Sequence, residues 1–142
     1  MSAEPAREFV DTNVFVYAFD RSSGEKGEKA RVLVRGLWEA GRGCLSLQVL
    51  QELYVTLTRK VARPLAPEVA SRLVEDLSAW PCHEPSRGDV LDAIALARKA
   101  RVSLWDALIL QSARQSGCGV LWSEDLNAGQ KLAGVVVRNP FG

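Results

Sequence analysis

Short runs of consecutive apolar residues alternate along this chain with longer stretches whose apolar residues recur every three to four positions. That alternation constrains the fold more than any other feature. The short runs fall in the strand candidates Glu8-Phe9-Val10, Cys44-Leu45-Ser46, Val120-Leu121-Trp122 and Val135-Val136-Val137, the first opening on a charged residue and the second ending on a polar one. A strand that is apolar on successive residues has both faces buried, as in a parallel sheet covered by helices. The periodic stretches supply those helices. Ala30, Leu33, Val34, Leu37 and Trp38 form one stripe, Leu50, Leu53, Tyr54, Leu57 and Val61 a second, and Ala70, Leu73, Val74 and Leu77 a third. Val14 to Phe19 is an apolar helical turn. Ser86-x-x-Asp89 and Ser103-x-x-Asp106 read as capping-box starts of two more helices, the first running to about Arg101, the second carrying Trp105, Leu108, Ile109 and Ala113. Gly41 and Gly43 stop the first stripe, Pro64 and Pro67 break the second, and Gly117 and Gly119 close the last. Residues 20–29 read as a solvated loop, and Pro81 and Pro85 bracket a connector. The expected class is α/β with a mostly parallel sheet.

At 142 residues, one domain spanning residues 1–142 is expected, with no repeats, linkers or low-complexity segments. Eighteen Lys and Arg stand against 17 Asp and Glu, spread evenly over both halves, which excludes a charged tail and a charge-driven disordered chain. Cys44, Cys82 and Cys118 form no C-x-x-C pair and read as reduced thiols of a cytoplasmic protein. His83 is the only histidine, so a zinc site or an H-E-x-x-H protease has no support. A Cys82–His83 nucleophile pair is disfavoured because neighbours in a strand point to opposite faces. No apolar run reaches the roughly 18 residues of a membrane helix, and Met1 to Glu8 lacks the apolar stretch of a signal peptide. Phosphate-cradling glycine motifs are absent as well.

In parallel sheets, function gathers where strands end and the next element begins. Three acidic residues sit at such junctions and a fourth just beyond one. Asp11 follows the first strand, Glu52 lies early in the helix after the second, Asp106 is in a first helical turn, and Asp125 follows the third strand. Each has an ordinary structural use: an Asx-turn, a solvated helix face, a capping box, a turn start. Together they mean more. Several carboxylates on one sheet edge repel unless a cation neutralises them, and an all-oxygen site suits Mg²⁺ or Mn²⁺. Asn13 adds a neutral donor and acceptor able to orient a carboxylate or a water. Such a centre fits attack of water on a phosphodiester. Arg59, Lys60 and Arg63 follow Glu52, and Arg98, Lys99 and Arg101 precede Asp106. Arg59, Lys60, Arg63 and Arg98 are candidate phosphate contacts, Arg59 lying seven residues and roughly 10 Å beyond Glu52. A solvated helix face is the plainer reading of these clusters.

At these residues the sequence resembles the PIN-domain ribonucleases, in particular the VapC-type toxins of bacterial toxin–antitoxin pairs. The matching motifs are Val10-Asp11-Thr12-Asn13-Val14, Gln51-Glu52-Leu53, Trp105-Asp106-Ala107-Leu108-Ile109, Trp122-Ser123-Glu124-Asp125-Leu126 and Val137-Arg138-Asn139-Pro140-Phe141. Their order and spacing carry the likeness, from about residue 8 to the C-terminus. The resemblance implies a three-layer α/β/α fold and Mg²⁺- or Mn²⁺-dependent cleavage of single-stranded RNA. By motif, Asp11, Glu52, Asp106 and Asp125 become the catalytic acids, with Asp11, Asp106 and Asp125 on the metal. Asn13 and Ser123 become supporting polar residues. Glu124 competes with Asp125 for the last place, and whether one or two metals bind stays open. A homodimer and a small cognate antitoxin are implied partners. Trp38, Trp80 and Tyr54, at helical spacing, are expected in the core rather than on a binding surface.

Two other classes compete. A non-catalytic module of the same fold would grip RNA or protein without cutting. A phosphotransfer domain with Asp11 as nucleophile would want Asp-x-Asp, and position 13 is Asn. The near-neutral total is also compatible with RNA, because four acids gathered in one groove leave 13 acidic against 18 basic side chains elsewhere.

Overall fold

The computed structural model describes residues 6–142, so the charged start at residues 1–5 lies outside the described residues. The chain runs β1 (Arg7–Val10), α1 (Thr12–Phe19), α2 (Gly24–Ala40), β2 (Gly43–Ser46), α3 (Leu47–Arg59), α4 (Pro67–Leu77), β3 (Cys82–His83), α5 (Arg87–Ala100), α6 (Leu104–Gln115), β4 (Cys118–Trp122), β5 (Lys131–Leu132) and β6 (Val135–Arg138). The strands form one sheet in the order β3-β2-β1-β4-β6-β5. Every pairing is parallel except β5 with β6. Helices α1 to α4 pack against one another, α5 packs against α6, and the sheet lies between, giving three layers.

The apolar runs are buried in the main as expected, with Val120, Trp122 and Val136 only half-buried. Phe9, Val10, Cys44, Leu45, Leu121, Val135 and Val137 are buried, packed with Phe15, Leu53, Leu57, Leu77 and Leu110 from the helices. A second, smaller cluster of Ala93, Ala107 and Leu108 seals α5 to α6. At roughly 2 kcal/mol for each fully buried large aliphatic or aromatic side chain, this burial drives the sheet and helices together.

Three local readings change. Residues 24–29 are helical, the first turns of α2, not a loop. Gly27 is buried where α2 crosses the end of α1: a Cβ there would lie 3.0 Å from the Tyr17 carbonyl oxygen. The connector after Pro81 contains edge strand β3, which extends β2 in parallel. Trp80 is core as expected, but Trp38 and Tyr54 are 45% and 38% exposed.

What positions the site is the carboxyl edge of the sheet. Val10 stands opposite Trp122, so β1 and β4 end side by side and deliver Asp11 and Ser123 to the same place. Ser46 closes β2 and caps α3, its hydroxyl accepting from the Val49 N–H. That cap starts the helix bearing Glu52 at the same edge.

Candidate active site

Asp11 is the N-cap of α1, a position Asp favours because its carboxylate accepts from unpaired helix N–H groups. Its Oδ1 accepts from the Thr12 N–H at 2.7 Å, and its Oδ2 accepts from the Ser123 hydroxyl at 2.8 Å. Its own N–H donates to the Trp122 carbonyl at 2.9 Å, prolonging the β1–β4 ladder by one rung. Ser123 does likewise toward β6, donating its N–H to the Arg138 carbonyl at 2.9 Å. The sheet therefore fixes both residues before any side-chain contact is made.

Asn13 ties the remaining pieces. Its Nδ2 donates to Asp125 Oδ2 at 2.9 Å and stands 3.5 Å from both Asp11 Oδ2 and Ser123 Oγ. Its Oδ1 accepts from the Glu124 N–H at 3.2 Å, and the Asp125 N–H donates to Ser123 Oγ at 3.2 Å. Across the groove, the Thr12 hydroxyl donates to Glu52 Oε1 at 3.1 Å. One network thus joins Asp11, Glu52 and Asp125 with Thr12, Asn13 and Ser123. Thr12 was not singled out by sequence. Its role depends on α3 lying beside α1, which no local pattern reports.

Only 5% of Asp11 is exposed, while Glu52 and Asp125 face solvent. Burial pushes the Asp11 carboxyl up to about 7, the charges of Asp125 and Glu52 push the same way, and the hydrogen bonds from Ser123 and Thr12 only partly oppose them. The site is a place of uncompensated negative potential whose ligating atoms are all oxygens. That chemistry fits a hard divalent cation, which would replace the proton on Asp11. Among the described residues, no three His, Cys, Asp or Glu side chains stand close enough to hold a metal ion unaided. Thr12 bridges Asp11 to Glu52, and Asn13 bridges Asp11 to Asp125.

Asp106 is not hydrogen-bonded into this network. It lies in the first turn of α6, its backbone N–H donating to Ser103 Oγ at 3.0 Å. The start of α6 is joined to the start of α3, where Gln48 Nε2 donates to the Trp105 carbonyl at 3.3 Å. Arg59, Lys60, Arg63 and Arg98 are all exposed. A cavity of about 240 Å³ beside Glu52 is lined by Gln51, Val55, Thr56 and Lys60, so Lys60 rather than Arg59 borders the space next to that acid.

His83 belongs elsewhere. Its Nδ1 lies 2.8 Å from Ser112 Oγ, and its Nε2 lies 3.3 Å from Asp89 Oδ2, the connectivity of a hydrolytic triad. Ser112 is 1% exposed, on the core side of α6, where no substrate reaches its hydroxyl. The string instead staples edge strand β3 to α5 and α6. His83→Gln is expected to lower stability by about 1 kcal/mol and the melting temperature by roughly 3 °C. The Asp11 network should be left intact, and thermal unfolding followed by circular dichroism checks the loss.

An acid pair delivered by the adjacent parallel strands β1 and β4, with a third acid on the helix after the neighbouring strand β2, is an arrangement that can be compared with known proteins. Among curated protein sequences none matches this chain. Solved structures share the fold. A toxin–antitoxin complex from Klebsiella pneumoniae matches with a TM-score of 0.69 at 21% identity, covering 94% of this chain and 97% of that one. DNA-bound VapBC from Salmonella typhimurium matches with a TM-score of 0.64 at 22% identity, covering 96% and 99%. VapC20 of Mycobacterium tuberculosis, described as a sarcin–ricin loop cleaving toxin, matches with a TM-score of 0.61 at 21% identity, covering 83% and 91%. The family model for the PIN domain matches residues 9–131, which takes in Asp11, Glu52, Asp106 and Asp125. With that match over most of its length and a three-layer α/β/α fold around the same edge, this chain belongs to the PIN domain family.

Proposed function

We propose that this chain, as a single domain over residues 1–142, is a Mg²⁺- or Mn²⁺-dependent endoribonuclease acting on single-stranded RNA, and the cytoplasmic toxin of a VapBC-type pair. The observation that carries the reading is the buried Asp11 carboxylate, held by Ser123 and Thr12 with Asp125 and Glu52 close enough to raise its pKa. Asp11, Asp106 and Asp125 would hold the ion, with Asn13 and Ser123 supporting them. Glu52 would help bind it or orient the attacking water. When bound, a divalent cation lowers the pKa of a coordinated water and offsets charge growing on the phosphate. Ser123 and the Thr12 N–H hold the two oxygens of the Asp11 carboxylate in place at the sheet edge. Asn13 holds Asp125 beside it. Lys60, with Arg59, Arg63 and Arg98, would contact flanking phosphates, a salt-sensitive interaction.

A homodimer and a small antitoxin complete the proposal. Val90, Leu91 and Ile94 on α5 leave apolar surface for a second copy. A groove of about 450 Å³, lined in part by Phe19, Val34, Trp38 and Leu73, offers apolar surface to an antitoxin segment. In favour of the second reading, a non-catalytic module, is the absence of a ready three-acid cluster among the described residues.

Cleavage of a single-stranded RNA with Mg²⁺, with EDTA and with Mn²⁺ separates the two. Asp106→Asn is expected to lower the rate by a factor of about 10² or more while circular dichroism stays native. Cutting that persists in EDTA, or at the wild-type rate in Asp106→Asn and Asp11→Asn alike, overturns the nuclease assignment.

A further inference from the structure

Glu124 stands next to Asp125, yet its carboxylate turns away from the acidic edge. Lys26 Nζ lies 2.5 Å from its Oε2, and the Tyr17 hydroxyl donates to its Oε1 at 2.8 Å. The ammonium of Lys26 also sits 5.1 Å from the centre of the Tyr17 ring and 5.5 Å from that of Phe141. Those two rings meet edge to face at 4.9 Å. Lys26 is half exposed, but its ammonium is held by a carboxylate on one side and by two aromatic rings on another. The close crossing of α2 over α1 at Gly27 is what brings Lys26 to Tyr17.

The electrostatics agree with this geometry. Burial pushes the Glu124 carboxyl up, but the hydrogen bonds from Lys26 and Tyr17 outweigh it and hold the group below its ordinary value. The hydrogen bond to Glu124 raises the Tyr17 hydroxyl.

The consequence reaches the site through one backbone group. The Glu124 N–H donates to Asn13 Oδ1. With that oxygen engaged, the Asn13 amide has only its Nδ2 to present to Asp125, Asp11 and Ser123. If the 123–125 segment were free to turn, the amide would lose the contact that selects its orientation.

We infer that Glu124, Lys26 and Tyr17, closed over by Phe141, form a positioning device that sets the Asn13 amide and Asp125, and that Glu124 is not itself a metal ligand. The inference rests on reading the acidic edge as the working site. It ties α2 and the C-terminal segment to that edge. Groups that orient a ligating side chain typically change metal affinity by 10- to 100-fold.

The test uses the full chain, ¹⁵N-labelled and metal-free, as wild type, Lys26→Met, Lys26→Arg and Glu124→Gln. An exposed pair contributes little to folding, so Lys26→Met should stay folded even if Glu124→Gln does not. The Asn13 side-chain amide signals are expected to be dispersed in wild type and Lys26→Arg, and to move toward the free-amide position in Lys26→Met. Calorimetric Mn²⁺ affinity is expected to fall about tenfold in Lys26→Met and to recover in Lys26→Arg. Unchanged Asn13 signals in Lys26→Met overturn the inference. So does Mn²⁺ binding lost in Glu124→Gln but untouched in Lys26→Met, the result expected of a direct ligand. Signals that move as expected in Lys26→Met, with a wild-type chain that binds no Mn²⁺, uphold the positioning device and remove the metal-dependent reading of the site.

Discussion

Asp11→Asn is expected to abolish RNA cleavage and, in the same protein, to stabilise the metal-free fold above pH 7. The two effects have one cause. Burial and the neighbouring Asp125 and Glu52 charges hold the Asp11 carboxyl near 7 against an ordinary value of 3.8. Below 3.8 it is protonated in both folded and unfolded chains and pH has no leverage. Between 3.8 and about 7 the unfolded chain ionises while the native one keeps its proton, so stability falls as pH rises through that window. By pH 8 the full difference corresponds to about 4 kcal/mol, at 1.36 kcal/mol per pH unit. Asn is nearly isosteric, still accepts from the Thr12 N–H and carries no charge to desolvate. Urea denaturation in EDTA should therefore give the two proteins similar stability near pH 4 and the variant a clear advantage at pH 8. A stability difference that is the same at both pH values would show that Asp11 is ionised in the native protein throughout. Adding Mg²⁺ at pH 8 should raise the midpoint of the wild type, by mass action on the native state, and leave Asp11→Asn unmoved.

How the site was legible follows from where its residues lie. Asp11, Asn13, Ser123 and Asp125 fall within three residues of a strand end, and the runs that define β1 and β4 are plain in the sequence because Phe9, Val10 and Leu121 are buried and Val120 and Trp122 half-buried. Glu52 was legible as one exposed acid opposite an apolar stripe on α3. The choice between Glu124 and Asp125 was not settled at that level. The contacts that bear on it, Lys26 and Tyr17 on the Glu124 carboxylate, come from residues far from position 124 in the chain and carry the positioning role inferred above. Asp106 marks the opposite case. Its motif is clear, but its distance from Asp11 is set by how α6 leans on β2 and β4, which no periodicity encodes.

The fold divides in the same way. β3 and β5 have two residues each and no pattern of their own; pairing with β2 and β6 makes them strands. The first turns of α2 expose Glu25, Lys26, Glu28 and Lys29, so they carry no apolar stripe to announce a helix. They are helical because they continue a segment whose Ala30, Val34 and Leu37 are buried.

Gly41 and Gly43 read alike in the sequence, as a double stop after a helix, and the structure separates them physically. Gly41 caps α2 with φ +66°, in open space. Gly41→Ala meets nothing, and its cost is the left-handed backbone alone, about 1 kcal/mol. Gly43 opens β2 beneath the Trp80 ring. A Cβ there would fall 2.4 Å from Trp80 Cζ3 and 2.6 Å from Cη2. The ring is 8% exposed and packs against Phe15 and Trp38 with centroid separations of 5.5 and 5.8 Å, so any retreat has to break these contacts. Gly43→Ala is therefore expected to destabilise by about 3 kcal/mol, the upper end for overpacking a filled core, and to lower the melting temperature by roughly 9 °C. A double-mutant cycle identifies the cause. Trp80→Leu alone leaves a cavity and loses stability. In that background the added methyl of Gly43→Ala has room, so its cost should shrink to under about 1 kcal/mol, the remainder appearing as coupling between the two positions. Equal cost in both backgrounds would place the strain in the β2 backbone instead of at the ring.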